Sequence, residues 1–389
     1  MIAAVGRRDI LAGMGASVVL AGLTGCARDP KSAILPFSAP RASVDRITAI
    51  TVCTRPFRAA GPRLEIEQIG RQTIVHNYGH GGSGWSLSWG SGAIASEMAV
   101  RTSERKIAVI GCGALGLTTA LCLQRAGAEV TIYAKELPPQ VRSSLASGVW
   151  TPDSRICLEQ NATPSFKQQW ETMCRTSFST YQSFLGLAGT PVEYIDNYFV
   201  GDEPSAVRAA PEPSDGRPAF AELQHELVPD LLPQAREFPP GTHQLGAHYL
   251  KRGSMMMFNI SGYSRLLLEE FHSNGGKILI TEFHQPGDLA RLPHQTIVNC
   301  TGYGARALFG DDSVIPVRGQ LARMSPDPLI TYGLFYHRVS FLPRRDGLVF
   351  QAVGDDDYYG FNDSATRPDR KEAERAVTTI AELFPANQK

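Results

Sequence analysis

No two of the seven cysteines in this 389-residue chain form a CxxC pair, and their spacing is irregular (Cys26, Cys53, Cys112, Cys122, Cys157, Cys174, Cys300). That argues against a zinc site and against a disulfide framework. Several of them lie inside apolar runs, where cysteine acts as a small hydrophobe. An excess of charge of one sign is also missing: Lys plus Arg and Asp plus Glu balance at 38 each. Nothing in the bulk charge points to a nucleic-acid partner, and no charge run is long enough to be a tail. The apolar run from Ile10 to Leu23 is too short and too rich in glycine for a good membrane span. What is left is ordinary globular composition, in a chain long enough for two domains and a large core.

The chain is organised around Lys106 to Glu136. A short apolar run, Ile107 to Ile110, leads directly into Gly111-Cys112-Gly113-Ala114-Leu115-Gly116. Apolar residues then recur at helical spacing as far as Gly127, and Val130 to Tyr133 is a second β-rich run. This is a βαβ unit with a dinucleotide fingerprint. Gly111 makes the tight turn, Gly113 leaves room for a pyrophosphate, and Gly116 lets helix and strand approach closely. The helix that opens at Ala114 and Leu115 presents free N–H groups to phosphate. Lys135 and Glu136 end the second strand, and Glu136 falls 20 residues after Gly116, where a carboxylate can accept from a ribose hydroxyl.

The N-terminus reads as a targeting segment. Arg7-Arg8 precede the Ile10–Leu23 run, the order of a twin-arginine signal. Leu23-Thr24-Gly25-Cys26 resembles the bacterial lipoprotein cleavage box, in which the cysteine becomes the lipidated first residue; a Sec signal with a chance cysteine is the alternative. A protein that loads a cofactor before export must cross the membrane folded, which suits the twin-arginine route. The expectation is an export signal over 1–30 and a flexible tether over 31–45. The protein would be periplasmic or in the cell envelope, held to the membrane by a lipid on Cys26.

Between the tether and the βαβ unit lie TRPFRAAGPRLE and VHNYGHGGSGWSLSWGSG, the latter with five glycines in the twelve residues from Gly79 to Gly90. Together they resemble the closing segment of the D-amino-acid oxidase family, which groups with glycine oxidases among FAD-dependent amine oxidoreductases. The resemblance implies that Arg55 grips a substrate carboxylate. It also implies that Gly81, Gly82, Ser83, Gly84, Trp85 and Ser86 lie over the flavin pyrimidine. The family carries this segment after its dinucleotide unit, whereas here it comes before, as a circular permutation would produce. Further stretches resemble the family too. Arg142, Ser143 and Ser144 would reach the diphosphate or ribityl chain, and Gly148 and Val149 would pass the flavin N5 edge. Thr301-Gly302 would end a second cofactor strand, and two separate cofactor signals favour FAD over NAD. By offset from Leu342-Pro343, Tyr336 matches one active-site tyrosine, and Ser340 stands where the family has the second. Arg344-Arg345 reads as surface charge or as a contact for an acidic substrate side chain, and Asp355-Asp356-Asp357 as a solvated turn without metal.

The implied fold is α/β in the broad sense, an α+β two-domain protein. A Rossmann-type FAD-binding domain (46–165 and 246–312) would accompany a substrate domain (166–245 and 313–389) built on a mixed, largely antiparallel sheet. The implied activity is FAD-dependent oxidation of an amino acid, foremost a D-amino acid, to the imine and then the 2-oxo acid. Reoxidation by O2 would give H2O2. A dehydrogenase passing electrons to a membrane quinone and a non-catalytic periplasmic flavoprotein are the alternatives.

Overall fold

The computed structural model describes residues 34–204 and 216–385. Arg7, Arg8 and Cys26 lie outside the described residues. In chain order, β1 (Ala49–Phe57), β2 (Arg63–Ile69) and β3 (Gln72–Tyr78) lead into α1 (Gly84–Val100). The fingerprint unit follows as β4 (Lys106–Ile110), α2 (Ala114–Arg125) and β5 (Glu129–Ala134). Next come α3 (Pro164–Gln182), β6 (Val192–Gly201), α4 (Gln224–Leu227), β7 (Arg236–Phe238), β8 (Tyr249–Phe258) and α5 (Ile260–Ser273). The chain continues through β9 (Lys277–Ile280), α6 (Pro286–Leu289), β10 (Thr296–Asn299) and α7 (Ala305–Phe309). It closes with β11 (Ile315–Met324), β12 (Tyr332–Tyr336), β13 (Val339–Arg344), β14 (Gly347–Ala352) and α8 (Arg370–Ala381).

The strands form two sheets, as expected for this fold class. The six-stranded sheet runs β2-β3-β10-β4-β5-β9, parallel from β3 to β9 with β2 antiparallel at one edge. Its inner strands are buried on both faces, which is why β4 reads as an apolar run from Ile107 to Ile110, while β3 and β10 bury His76, Asn77, Thr296 and Asn299 among their apolar residues. Val75, Val109 and Val298 face the helices, while Ile74, Ala108, Ile110 and Ile297 face the other way. Helix α1 packs on that apolar face against α2 and α3. Small residues permit this approach: a Cβ on Gly90 would come within 2.2 Å of the Met173 carbonyl oxygen. At the start of α3, Thr163 caps the helix by accepting from the Phe166 N–H, with Pro164 at its first position.

The eight-stranded sheet runs β1-β11-β14-β13-β12-β6-β8-β7 and is antiparallel except where β12 meets β6. Successive side chains alternate between its faces. One face carries Ala322, Met324, Leu334, Tyr336, Phe341 and Phe350 against α8. The opposite face carries Leu321, Leu342 and Val349, with Val149 packed on them. Register places Arg55 opposite Val317 and Cys53 opposite Gly319, so Arg55 shares the face of Leu321.

Three expectations change. Strands β1 and β8, expected within the FAD-binding part, belong to the larger sheet, held by ladders with β11 and β6 over their full lengths. The expected tether is docked from Leu35 on: Leu35 bridges His243, and Phe37 stands edge-on to Tyr198 and Tyr332 at 4.9 and 5.1 Å. Arg344 is not surface charge. Its buried guanidinium pairs with Asp346 and donates to the Ala146 carbonyl at 2.7 Å.

Candidate active site

Strands β3, β4 and β10 run in the same direction, so the loops that leave them emerge at one edge. At that edge Gly111 has φ 103°, and a Cβ on it would lie 2.6 Å from the Cys300 carbonyl oxygen. A Cβ on Gly116 would lie 2.0 Å from the Gly111 carbonyl oxygen. Only glycine lets the turn, the helix and β10 come this close. Around Gly113 the first turn of α2 opens, with Leu115 buried behind it. The Ala114 N–H donates to Ser143 Oγ at 3.0 Å, and the Trp85 indole N–H donates to the Ser143 carbonyl at 2.8 Å. Ser144 Oγ is buried with no partner among the described residues. Such an orphan beside a helix N-terminus is what an anionic ligand satisfies. Lys135 and Glu136 follow β5, both exposed, with Lys135 3.4 Å from Glu282.

The second wall is the loop ahead of α1. The Gly81 N–H donates to the Pro56 carbonyl, the Gly82 N–H to the Ser154 carbonyl and the Ser83 N–H to the His80 carbonyl, at 2.8, 2.8 and 2.9 Å. Ser83 Oγ also donates to Ser154, and Ser86 Oγ accepts from the Thr151 N–H at 2.8 Å. These three amides therefore hold the loop in shape. The first-turn amides of α1, on Gly84, Trp85 and Ser86, are the ones that lack intrahelical acceptors. Behind them His80 is enclosed: its Nε2 meets Ser91 Oγ at 2.8 Å, which donates to Asn77, which donates to Thr119.

The third wall is the inner face of the larger sheet. Gly148 has φ 91°, and a Cβ there would lie 2.6 Å from the Phe258 carbonyl oxygen; Val149 bridges Met257. Arg55 lays its guanidinium over Gly319, where a Cβ would come within 2.6 Å, and donates to the Arg318 carbonyl at 3.1 Å. The neighbouring Thr54 accepts from Arg142, whose guanidinium lies 5.7 Å from the Tyr303 ring. Gly302, with φ 58°, adjoins Pro56, and Thr301 Oγ donates to Asn299. Contacts thus link several of these stretches: Ser143 joins the start of α2 to Trp85, Arg142 joins β1 to Tyr303, and Gly302 adjoins Pro56.

Tyr336 does not join them. It points to the α8 face, stacked on His337 at 3.8 Å. Its strand neighbour Phe335 pairs with Ser340 on the Arg55 face. Arg155, whose carbonyl abuts Gly81, is a neighbour of the glycine loop that sequence reasoning missed. Its side chain is 11% exposed, and burial, then the Arg55 charge, bring its pKa down to about 10. The only signal was its place five residues after the Trp150 turn.

The family model for FAD dependent oxidoreductases of the DAO type matches residues 106–389. The chain belongs to this family. A D-amino-acid oxidase of Dictyostelium discoideum is 26% identical over 286 residues, covering 72% of this chain and 74% of that protein. One from Rubrobacter xylanophilus is 26% identical over 288 residues, covering 71% and 76%. The structure of iminodiacetate oxidase from Chelativorans sp. BNC1 superposes with TM-score 0.50 at 15% identity, over 72% of this chain and 79% of that one, a likeness in fold. As a DAO-family oxidoreductase the chain is an FAD-dependent enzyme. Its residues fit the cofactor: the glycine cradle, the orphaned Ser144 hydroxyl and the first-turn amides of α1 and α2 suit a diphosphate and a ring that gains negative charge on reduction.

Burial lowers the His80 pKa to about 3. The folded protein keeps this ring neutral, while the unfolded chain protonates it below an ordinary value of about 6.5. Its stability contribution is therefore full above about pH 6.5 and declines as pH falls toward 3. Urea titrations at about pH 7 and 5 should show His80→Gln losing less stability than wild type, by about 1.4 kcal/mol per pH unit in that window.

Proposed function

We propose that this family member oxidises a D-amino acid at Cα to the imine, which water hydrolyses to the 2-oxo acid, with O2 as the final acceptor and H2O2 as its product. One observation carries the reading. Arg55, next to the Thr54 that accepts from Arg142, has a backbone carbonyl as its one hydrogen-bond acceptor among the described residues, which leaves most of its guanidinium donors for a carboxylate. The names of the relatives agree with it.

FAD, when bound, supplies the two-electron oxidant for the Cα–H bond. The protein supplies position and field. Arg55 takes the carboxylate through paired N–H donors and so fixes which face of Cα is presented. Gly148 and Val149 bring backbone rather than bulk to the reacting edge. The α1 N-terminus, through Gly84, Trp85 and Ser86, would favour negative charge on a ring bound beside it. An amine bound neutral needs no side-chain base. Tyr336, facing α8, takes no part.

The same proposal covers chain order. The family match begins at Lys106, yet strands of the preceding segment complete both sheets, β1 as the edge strand on β11 and β3 between β2 and β10, an arrangement that a circular permutation would produce. It also covers location: a twin-arginine signal and a lipid on Cys26 would place the enzyme at the membrane of the cell envelope.

Arg55→Ala should lower kcat/KM by about 3 kcal/mol, roughly a hundredfold or more. Anaerobic bleaching of flavin absorbance by D-amino acids is the measurement, and undiminished bleaching removes Arg55 from the site. Moving residues 46–100 behind residue 385 should yield a folded, flavin-binding protein; a colourless aggregate would count against permutation. Cys26→Ser should move the protein from the membrane fraction to the soluble envelope fraction, and unchanged fractionation would dismiss the lipid.

A further inference from the structure

Arg155 has chemistry that the reading above leaves unused. Its backbone is left-handed, φ 50°, a conformation that costs a residue bearing a Cβ. Its carbonyl abuts Gly81, where a Cβ would come within 1.9 Å, and the Gly81 N–H donates to the Pro56 carbonyl at 2.8 Å. One glycine therefore lies between the backbone of Arg155 and that of the Arg55-Pro56 pair. The Gly81 loop thus joins the two arginine-bearing segments, and the Arg55 charge acts on Arg155.

The anion that Arg155 holds within the chain is Asp357. Its Nε–H donates to the Asp357 carbonyl, and its Nη2 stands 3.2 Å from the Asp357 carboxylate. The pair is uneven: the arginine side chain is 11% exposed and the aspartate 48%. Asp356, the other nearby carboxylate, is taken by Arg217 at 2.7 Å. The turn that carries Asp357 ends at Gly360, which packs on the Arg318 carbonyl, the oxygen that also accepts from Arg55. Returning an exposed carboxylate to water costs little. Bringing a ligand carboxylate to the buried side of Arg155 forms a charge-assisted contact away from solvent.

We propose that Arg155 receives a second anionic group of the substrate, with Asp357 as the carboxylate it displaces, so that the site selects amino acids whose side chain carries a carboxylate. This rests on Arg55 as the α-carboxylate site. Charge favours it: two guanidiniums meet two substrate carboxylates, and the freed Asp357 is hydrated.

Binding decides it independently of turnover. Succinate and butyrate, equal in carbon number and different in charge, are titrated calorimetrically into the flavin-loaded protein. Succinate should bind at least about tenfold tighter. Arg155→Gln should abolish that advantage and Asp357→Asn, a surface change, should widen it. Equal binding of the two acids, an advantage that survives Arg155→Gln, or one that narrows in Asp357→Asn, overturns the inference. In turnover, the ratio of kcat/KM for D-glutamate to that for D-glutamine should fall about tenfold in Arg155→Gln and less in Arg155→Lys. A protein whose flavin no amino acid reduces would refute the proposed function, while the calorimetry would still judge Arg155.

Discussion

The structure depends on β10 lying parallel between β3 and β4. Thr296 to Asn299 pair with Thr73 to His76 on one side and with Ile107 to Ile110 on the other. Each of these hydrogen bonds contributes only about 1 kcal/mol net, but they fix direction and register together. Because all three strands point the same way, the turns at Gly79–Ser83, Gly111–Gly113 and Thr301–Gly302 leave at one edge. Apolar side chains on both faces of the three strands hold this register, since a slip of one residue would reverse every side chain. A candidate cofactor site assembled from three separate stretches of sequence is thus a consequence of one ladder.

The wall that carries Arg55 is positioned by buried charge. Arg318 turns its side chain toward α8, where it pairs with Glu372 at 2.9 Å, while its carbonyl oxygen accepts from Arg55 on the opposite face. Asp369 caps α8 by accepting from the Lys371 and Glu372 N–H groups, which sets the helix that carries Glu372. Helix, ion pair and carbonyl therefore form a continuous path to the Arg55 guanidinium. Arg344 does similar work at the other wall, bridging Asp346 to the Ala146 carbonyl just before the Gly148 turn. Such pairs add little net stability but are costly to break on one side, so their main effect is to keep one geometry.

What could be read in the sequence was what backbone sterics dictate. Gly111, Gly113 and Gly116 stand out because a turn and two close approaches tolerate nothing larger, and that demand is local. FAD chemistry and the two-layer fold followed from it with the help of family likeness. What could not be read depends on partners distant in sequence. Counting back from Leu342-Pro343 assigned Tyr336 a position but not a face. Its strand turns through His337 and Arg338, both at positive φ, and β13 then sends Ser340 inward. Arg344 looks like surface charge until Asp346 and the Ala146 carbonyl are seen around it. Arg155 looks like a loop residue until folding sets it beside Gly81 and Arg55. Strand β1 carries no mark of its sheet, because membership is decided by pairing with β11, more than 250 residues further on.

Chain order matters less to such a core than pairing does. The link between α1 and β4, residues 101–105, lies at the amino edge of the parallel strands, where Thr102 meets Thr296 at 2.7 Å at the base of β10. The glycine loops leave the opposite edge. Under the proposed permutation, evolution cut and joined the chain only at ends remote from the chemistry. The thermodynamic cost of such rewiring is a change in loop closure, about 0.6 kcal/mol for each doubling of a flexible loop. That is small beside the burial of Val75, Trp89, Leu117 and their neighbours, each worth about 1.5–3 kcal/mol in this core. A site built from strand ends survives reordering of its segments for the same reason it could be recognised from them. Its geometry is set by which strands pair and in which direction, and neither depends on where the polypeptide begins.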